Sequence, residues 1–190
     1  MKHQSKTDEW RIKGAEIEEI IQVGDPMLRQ VAPEYQEIAK LAPIADKLVG
    51  LLRSLKGAGM AASQIGSSAS LIVVEVRKTD LFPDRPESPL YIMINPVVTE
   101  SSHEREKGWE GCYSIPGVMA QVERPVAITV KYDALDGEKH EERFTGYVAR
   151  VVQHEIDHLR GILFTDRMDP VTLTTVTNWK KYHYHRDMID

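Results

Sequence analysis

The chain has 190 residues, 42% hydrophobic and 28% charged, which suits one globular domain with a real core. A net charge of −5 argues against a general nucleic-acid-binding surface, so no DNA partner is expected. The one cysteine, Cys112, excludes an internal disulfide and an all-cysteine zinc site, and suits a reducing compartment. No segment approaches the roughly 18 consecutive apolar residues of a membrane span. The polar start, with Asp8 and Glu9, lacks the features of a secretory signal or a transit peptide. A cytoplasmic location with no membrane contact is therefore expected.

Residues 1–14 read as a flexible N-terminal extension, 15–170 as a single catalytic domain and 171–190 as a C-terminal tail or helix. Ile17 to Val23 is a short apolar stretch ending at the turn signal Gly24-Asp25-Pro26. From Pro43, the residues Ile44, Leu48, Leu51, Leu52 and Leu55 recur at helical spacing, and Gly57 after Lys56 reads as the stop. Gly57 to Gly66 is dominated by small residues. Leu71 to Val76 reads as a buried strand, and the prolines and charges of residues 78–89 as an exposed loop. Tyr91 to Ile94 reads as another strand, and Trp109 to Gly117 as a turn-rich passage around Cys112. Val126 to Tyr132 and Lys139 to Phe144 read as strands joined by the hairpin signal Asp136-Gly137. A second helix spans Tyr147 to Leu159, with Gly161 after it. Asp169-Pro170 could cap a third, although the threonines that follow are poor helix formers. Strands between two helices imply an α+β fold: mostly antiparallel sheet around the later helix, one helix near the N-terminus and a possible C-terminal helix.

The later helix carries His154-Glu155-Ile156-Asp157-His158, an H-E-x-x-H pattern. Residues four apart stand on one helix face, so both imidazoles can grip one metal ion, with Glu155 within reach of the water beside it. A tight site needs a third ligand, and Cys112 in Glu110-Gly111-Cys112-Tyr113-Ser114 is the candidate. Three ligands would leave an open fourth position, the catalytic arrangement. A cysteine nucleophile with a histidine base is the alternative, but it leaves the second histidine unexplained. In Gly57-Ala58-Gly59-Met60-Ala61-Ala62-Ser63-Gln64 the glycines suit either tight packing or the close approach of a peptide, and Gln64 could aim its amide at an oxyanion.

Together these segments resemble the peptide deformylase family, marked in order by G-Φ-G-Φ-A-A-x-Q, E-G-C-Φ-S and H-E-Φ-D-H-L, where Φ is apolar. The resemblance runs from about Ile17 to Asp169. It departs at Tyr113, where leucine is common, and at Met119, where some members carry arginine. Residues 78–89 are long for this connection. The resemblance implies an α+β fold and removal of the formyl group from the N-terminal formyl-methionine of nascent polypeptides in a bacterial-type cytoplasm. It also implies one divalent metal, usually Fe(2+), with Zn(2+), Ni(2+) or Co(2+) able to occupy the site.

In the implied mechanism Cys112, His154 and His158 hold the metal, which makes a water nucleophilic, and Glu155 acts as general base and then acid. Gln64 and the backbone N–H of Tyr113 stabilise the oxyanion. By the same analogy Asp157 pairs with Arg124 to brace the helix, the alternative being two solvated charges. Glu110 would bond a ligand histidine or the substrate amine. Gly59 and Gly111 would present backbone to the peptide, with Ala58 beside them. Tyr147 and Val151 share a helix face with His154 and would line the methionine pocket or simply pack the core. The basic, aromatic segment Trp179 to Arg186 offers transient ribosome contact or a solvated end. Oligomeric state has no signal. The competing readings are an H-E-x-x-H endopeptidase, which usually takes a third His or Glu, and a metal-binding module without catalysis, which would need neither Glu155 nor Gln64.

Overall fold

The computed structural model describes residues 18–80 and 82–184. The expected extension over residues 1–14 lies outside the described residues, as does the end of the tail from 185. Among the described residues eight strands and three α-helices follow in order: α1 (Ala42–Ser54), β1 (Gly59–Ala61), β2 (Leu71–Val74), β3 (Tyr91–Ser101), β4 (Arg105–Cys112), β5 (Ile115–Pro125), β6 (Ala127–Asp133), β7 (Lys139–Thr145), α2 (Gly146–Leu159), β8 (Thr174–Thr175) and α3 (Val176–Tyr182). One sheet has the order β1-β2-β3-β6-β7 and the other β4-β5-β8. Every pairing is antiparallel, so the α+β architecture is as expected.

The position of β2 explains its composition. Leu71, Ile72, Val73 and Val74 are all fully buried. Successive side chains on a strand point to opposite faces. Leu71 and Val73 therefore pack with Leu48 and Leu52 of α1, while Ile72 and Val74 pack with Val152 and Ile156 of α2. A strand covered on both faces needs an unbroken apolar run. Burying each such side chain contributes about 1.5–3 kcal/mol. The core thus fixes α2 against the first sheet, while its other side reaches β5 of the second.

Three local readings need correction. Trp109 to Gly117 is not a turn-rich passage: it is the meeting of β4 and β5, which form a hairpin around a short turn at Tyr113-Ser114. The alternation was hidden because β4 is mostly exposed and rich in charge and glycine. The stop after α1 is made by Lys56, which takes the left-handed conformation at φ 56°, rather than by Gly57. Asp169 caps only a single 3₁₀ turn, Pro170–Thr172. The helix beyond it begins at Val176, with the Thr175 side chain accepting from the Asn178 N–H. Among the described residues no helix is long and apolar enough to cross a membrane.

Candidate metal centre

The three proposed ligands come from two elements. His154 and His158 project from one face of α2, while Cys112 ends β4. The β4–β5 register shifts between Glu110 and Cys112, an irregularity of the kind that re-aims a side chain. One ligand atom from each of Cys112, His154 and His158 lies within 4.8 Å of the others. Cys112 Sγ is 3.2 Å from His158 Nε2.

The donor set fits a metal ion. Glu110 Oε2 lies 2.9 Å from His154 Nδ1, which fixes that ring and leaves Nε2 for coordination. Burial opposes the Cys112 thiolate, yet the neighbouring His158 and His154 hold its pKa well below the ordinary thiol value. A half-buried thiolate beside two imidazoles suits a borderline or soft divalent cation.

Glu155 faces the same space. A Cβ at Gly59 would lie 2.6 Å from Glu155 Oε1 and 2.7 Å from Val151, so only glycine lets β1 pass this close to α2. Glu155 is buried and its Oε2 has no hydrogen-bond partner among the described residues. Burial, only partly offset by His154 and His158, pushes its carboxyl up to about 7. That is the range in which a carboxylate both takes and returns a proton near neutrality.

Gln64 closes the site from the opposite side. Its Oε1 accepts from the Ala61 N–H at 2.9 Å, which fixes the amide so that Nε2 points inward. Nε2 lies 3.2 Å from Ser114 Oγ and 3.5 Å from Cys112 Sγ. The Tyr113 hydroxyl donates to the Leu55 carbonyl at 2.7 Å. Burial pushes its pKa up to about 12. The backbone of Tyr113 lies beside Cys112.

The charges behind the ligands are buried. Arg124 donates to Glu110 at 2.6 and 2.9 Å and to Asp157 at 2.7 Å, and all three residues are nearly inaccessible. The Arg124–Asp157 pair is thus an internal brace and not two solvated charges. Burial alone would raise the Glu110 carboxyl, but Arg124 and His154 outweigh it and hold it well below the usual range. Both Glu110 oxygens are engaged, Oε1 by Arg124 and Arg150 and Oε2 by Arg124 and His154.

A match to the family model of polypeptide deformylase spans residues 17–173, most of the chain and every residue of this site. The chain belongs to the polypeptide deformylase family. It is similar to peptide deformylase 2 of a Nostoc species, 39% identical over 164 residues and covering 85% of this chain and 91% of that protein. Peptide deformylase of Leptospira biflexa is 37% identical over 162 residues, covering 83% and 90%. Among solved structures, a class I type b peptide deformylase from Acinetobacter baumannii bound to Met-Ala-Ser matches with a TM-score of 0.76 at 38% identity, covering 78% of this chain and 96% of that one. Peptide deformylase from Thermotoga maritima matches with a TM-score of 0.71 at 35% identity, covering 80% and 97%. Peptide deformylases are metal-dependent enzymes that act on formyl-methionine peptides, and Cys112, His154 and His158 form a group that could hold a metal ion.

Sequence reasoning missed two residues at this deformylase centre and the contact made by a third. Arg150 donates to Glu110 Oε1 at 3.0 Å and to the carbonyls of Val122 at 2.7 Å and Glu106 at 2.8 Å. It stands four residues before His154, so a charge on the motif face was the available signal. Arg167 donates to Asp157 at 2.7 and 2.8 Å and lies at no spacing that marks it, while Ser114, the last residue of the E-G-C-Φ-S motif, accepts from the Gln64 amide. Ala58 and Val151 belong to the core cluster around α2, with Tyr147 packed at its margin. Gly111 backs onto Met119, whose sulfur would be 2.4 Å from a Cβ there. Trp179 of the C-terminal segment is buried, and His183 packs on Trp109 with ring centroids 4.7 Å apart, so these aromatic residues are packed rather than solvated.

Proposed function

We propose that this chain removes the formyl group from N-terminal formyl-methionine with Cys112, His154 and His158 as metal ligands and Glu155 as the proton-transfer group. The observation that carries the reading is the meeting of three ligand atoms within 4.8 Å beside a buried carboxylate oxygen that has no hydrogen-bond partner among the described residues. The bound ion supplies Lewis acidity, which activates water near neutral pH. Fe(2+) is the working ion we favour, in line with the mixed thiolate and imidazole set, and Zn(2+), Ni(2+) or Co(2+) fit the same donors.

Glu155 takes a proton from the attacking water and passes it to the amine that leaves when the formyl C–N bond breaks. The Gln64 amide and the backbone N–H of Tyr113 donate to the oxyanion formed in between, each worth roughly 3 kcal/mol. Glu110 keeps His154 in the tautomer that presents Nε2, and Arg124 and Asp157 hold Glu110 and α2 in place. β1 is an edge strand, so Ala58 and Gly59 can pair with an extended peptide as an added strand, with Gly111 opposite. Tyr147 and Val151 then border the methionine side chain.

Residues 15–170 would form the catalytic domain, working in the cytoplasm where formylated chains emerge. Transient ribosome contact would fall to exposed Lys181 and Tyr182 of α3, since Trp179 is packed inward. Formate release from formyl-Met-Ala-Ser by protein purified and metal-analysed without air tests the whole reading. One metal ion per chain and formate without internal cleavage is the expected result. Internal cleavage, or no formate at full metal loading, would overturn it.

A further inference from the structure

Residues 78–89, the long connection between β2 and β3, are not explained by the reaction. They deliver Arg85 to the front of the site. Its guanidinium carbon lies 3.7 Å from the Phe82 ring centroid and 5.8 Å from that of Tyr147, the residue bordering the proposed methionine pocket. Phe82 in turn packs on the C-terminal segment, 6.4 Å from Trp179 and 6.1 Å from Tyr184 between ring centroids. Two segments distant in sequence therefore meet here and hold one cation.

Arg85 Nη1 donates to the Lys56 carbonyl at 3.2 Å, and the next carbonyl back, Leu55, takes the Tyr113 hydroxyl at 2.7 Å. The guanidinium thus sits where the chain enters β1. Gly59, three residues further on, touches Glu155. Three residues span at most about 10 Å. An extended peptide advances about 3.3 Å per residue. A substrate with its formyl group at Glu155 and its chain along this segment brings its second or third residue to Arg85.

The charge there is available. Among the described residues Arg85 makes no ion pair, while the loop acid Asp80 is engaged by Lys56 at 2.6 Å. The loop's other acids, Asp84 and Glu87, are exposed and not bridged to it. A guanidinium stacked on an aromatic ring keeps its edge N–H groups free for a carboxylate fork. On a chain of net charge −5 such a cation beside the groove selects locally for an anion.

We propose that Arg85 forms a subsite for a carboxylate carried by the second or third residue of the substrate peptide, as an acidic side chain or as the terminus of a short chain. The inference rests on the deformylase reading for the direction of the peptide, but its test does not depend on turnover. Binding to metal-loaded Glu155→Ala protein is measured by calorimetry. The peptides are formyl-Met-Glu-Ala-amide, formyl-Met-Ala-Glu-amide, their glutamine counterparts, and formyl-Met-Ala-Ser with and without a C-terminal amide. Tighter binding by about fivefold is expected for at least one carboxylate member over its neutral partner, the scale of a part-exposed ion pair. That ratio should fall to about one in the Arg85→Gln double variant and partly persist in Arg85→Lys. The side-chain and terminal arms identify which carboxylate is read. Equal binding across every pair, a ratio unchanged by Arg85→Gln, or no binding would overturn the subsite. Failure of the unmutated enzyme to release formate would instead count against the deformylase reading.

Discussion

The roles proposed for Glu155 and Gln64 are separable, and single substitutions should tell them apart. Glu155→Ala removes the proton carrier and leaves the three ligands, so kcat should fall by roughly 10²–10⁴ while metal analysis still finds one ion per chain. Retained turnover would refute the base. Gln64→Ala removes an oxyanion donor and should cost about 10²-fold in kcat with a smaller change in KM. The Ala61 N–H and Ser114 hydroxyl that hold Gln64 would then lack a partner, so steady-state kinetics should be read beside a circular-dichroism melt. Both residues were legible in the sequence because they sit inside short motifs. Arg150 was not, because a buried charge is marked by its partners, which lie far away along the chain.

At the level of elements, α2 is held to the β4–β5 hairpin by charge rather than by apolar packing alone. Arg150 reaches across to three hairpin carbonyls and to Glu110, and the space for it is made by Gly108. A Cβ at Gly108 would lie 2.6 Å from the guanidinium carbon. Gly108→Ala should therefore lose about 1–3 kcal/mol in urea unfolding, the usual cost of overfilling a packed site. In an Arg150→Met background the same change should cost much less. Additive losses in this double-mutant cycle would show that the two do not touch. The hairpin was the element least visible in the sequence, because β4 is exposed and charged and lacks an alternating pattern. By contrast α1, β2 and α2 announced themselves, since each buries a continuous apolar face whose period survives in one dimension.

For the whole molecule, several carboxyl groups share one direction of titration. Hydrogen bonds from Arg53 hold Glu75 below its ordinary pKa against the effect of burial, and the bond from Arg29 does the same for Asp166. Glu110 is depressed in the same sense, burial being outweighed by Arg124 and His154. A depressed carboxyl stabilises the fold above its unfolded pKa, near 4, and that contribution is lost as pH falls through the folded values. Glu155 runs the other way. Its carboxyl is pushed up to about 7, chiefly by burial, so in metal-free protein its penalty is absent below about 4.5, grows as pH rises from there to about 7, and is constant above. Urea midpoints of metal-free protein should therefore decline from pH 5 to pH 3, and Glu155→Gln should flatten the loss between about pH 5 and pH 7 without altering the acid limb. A flat acid limb would contradict the buried network.

The reach of the ligand set across the chain has a consequence for chain entropy. Cys112 ends one strand and His154 lies on α2, with about 40 residues between them. A shared ion would cross-link these positions much as a disulfide does, restricting the unfolded ensemble. For a loop of that length the entropic model gives about 4 kcal/mol. Chelation should then lower the melting temperature by roughly 10 °C, whereas the same treatment of Cys112→Ser, in which the cross-link is weakened, should move it far less. A catalytic ion would in this way also serve as a removable staple, so that metal supply sets the lifetime of the folded protein along with its rate.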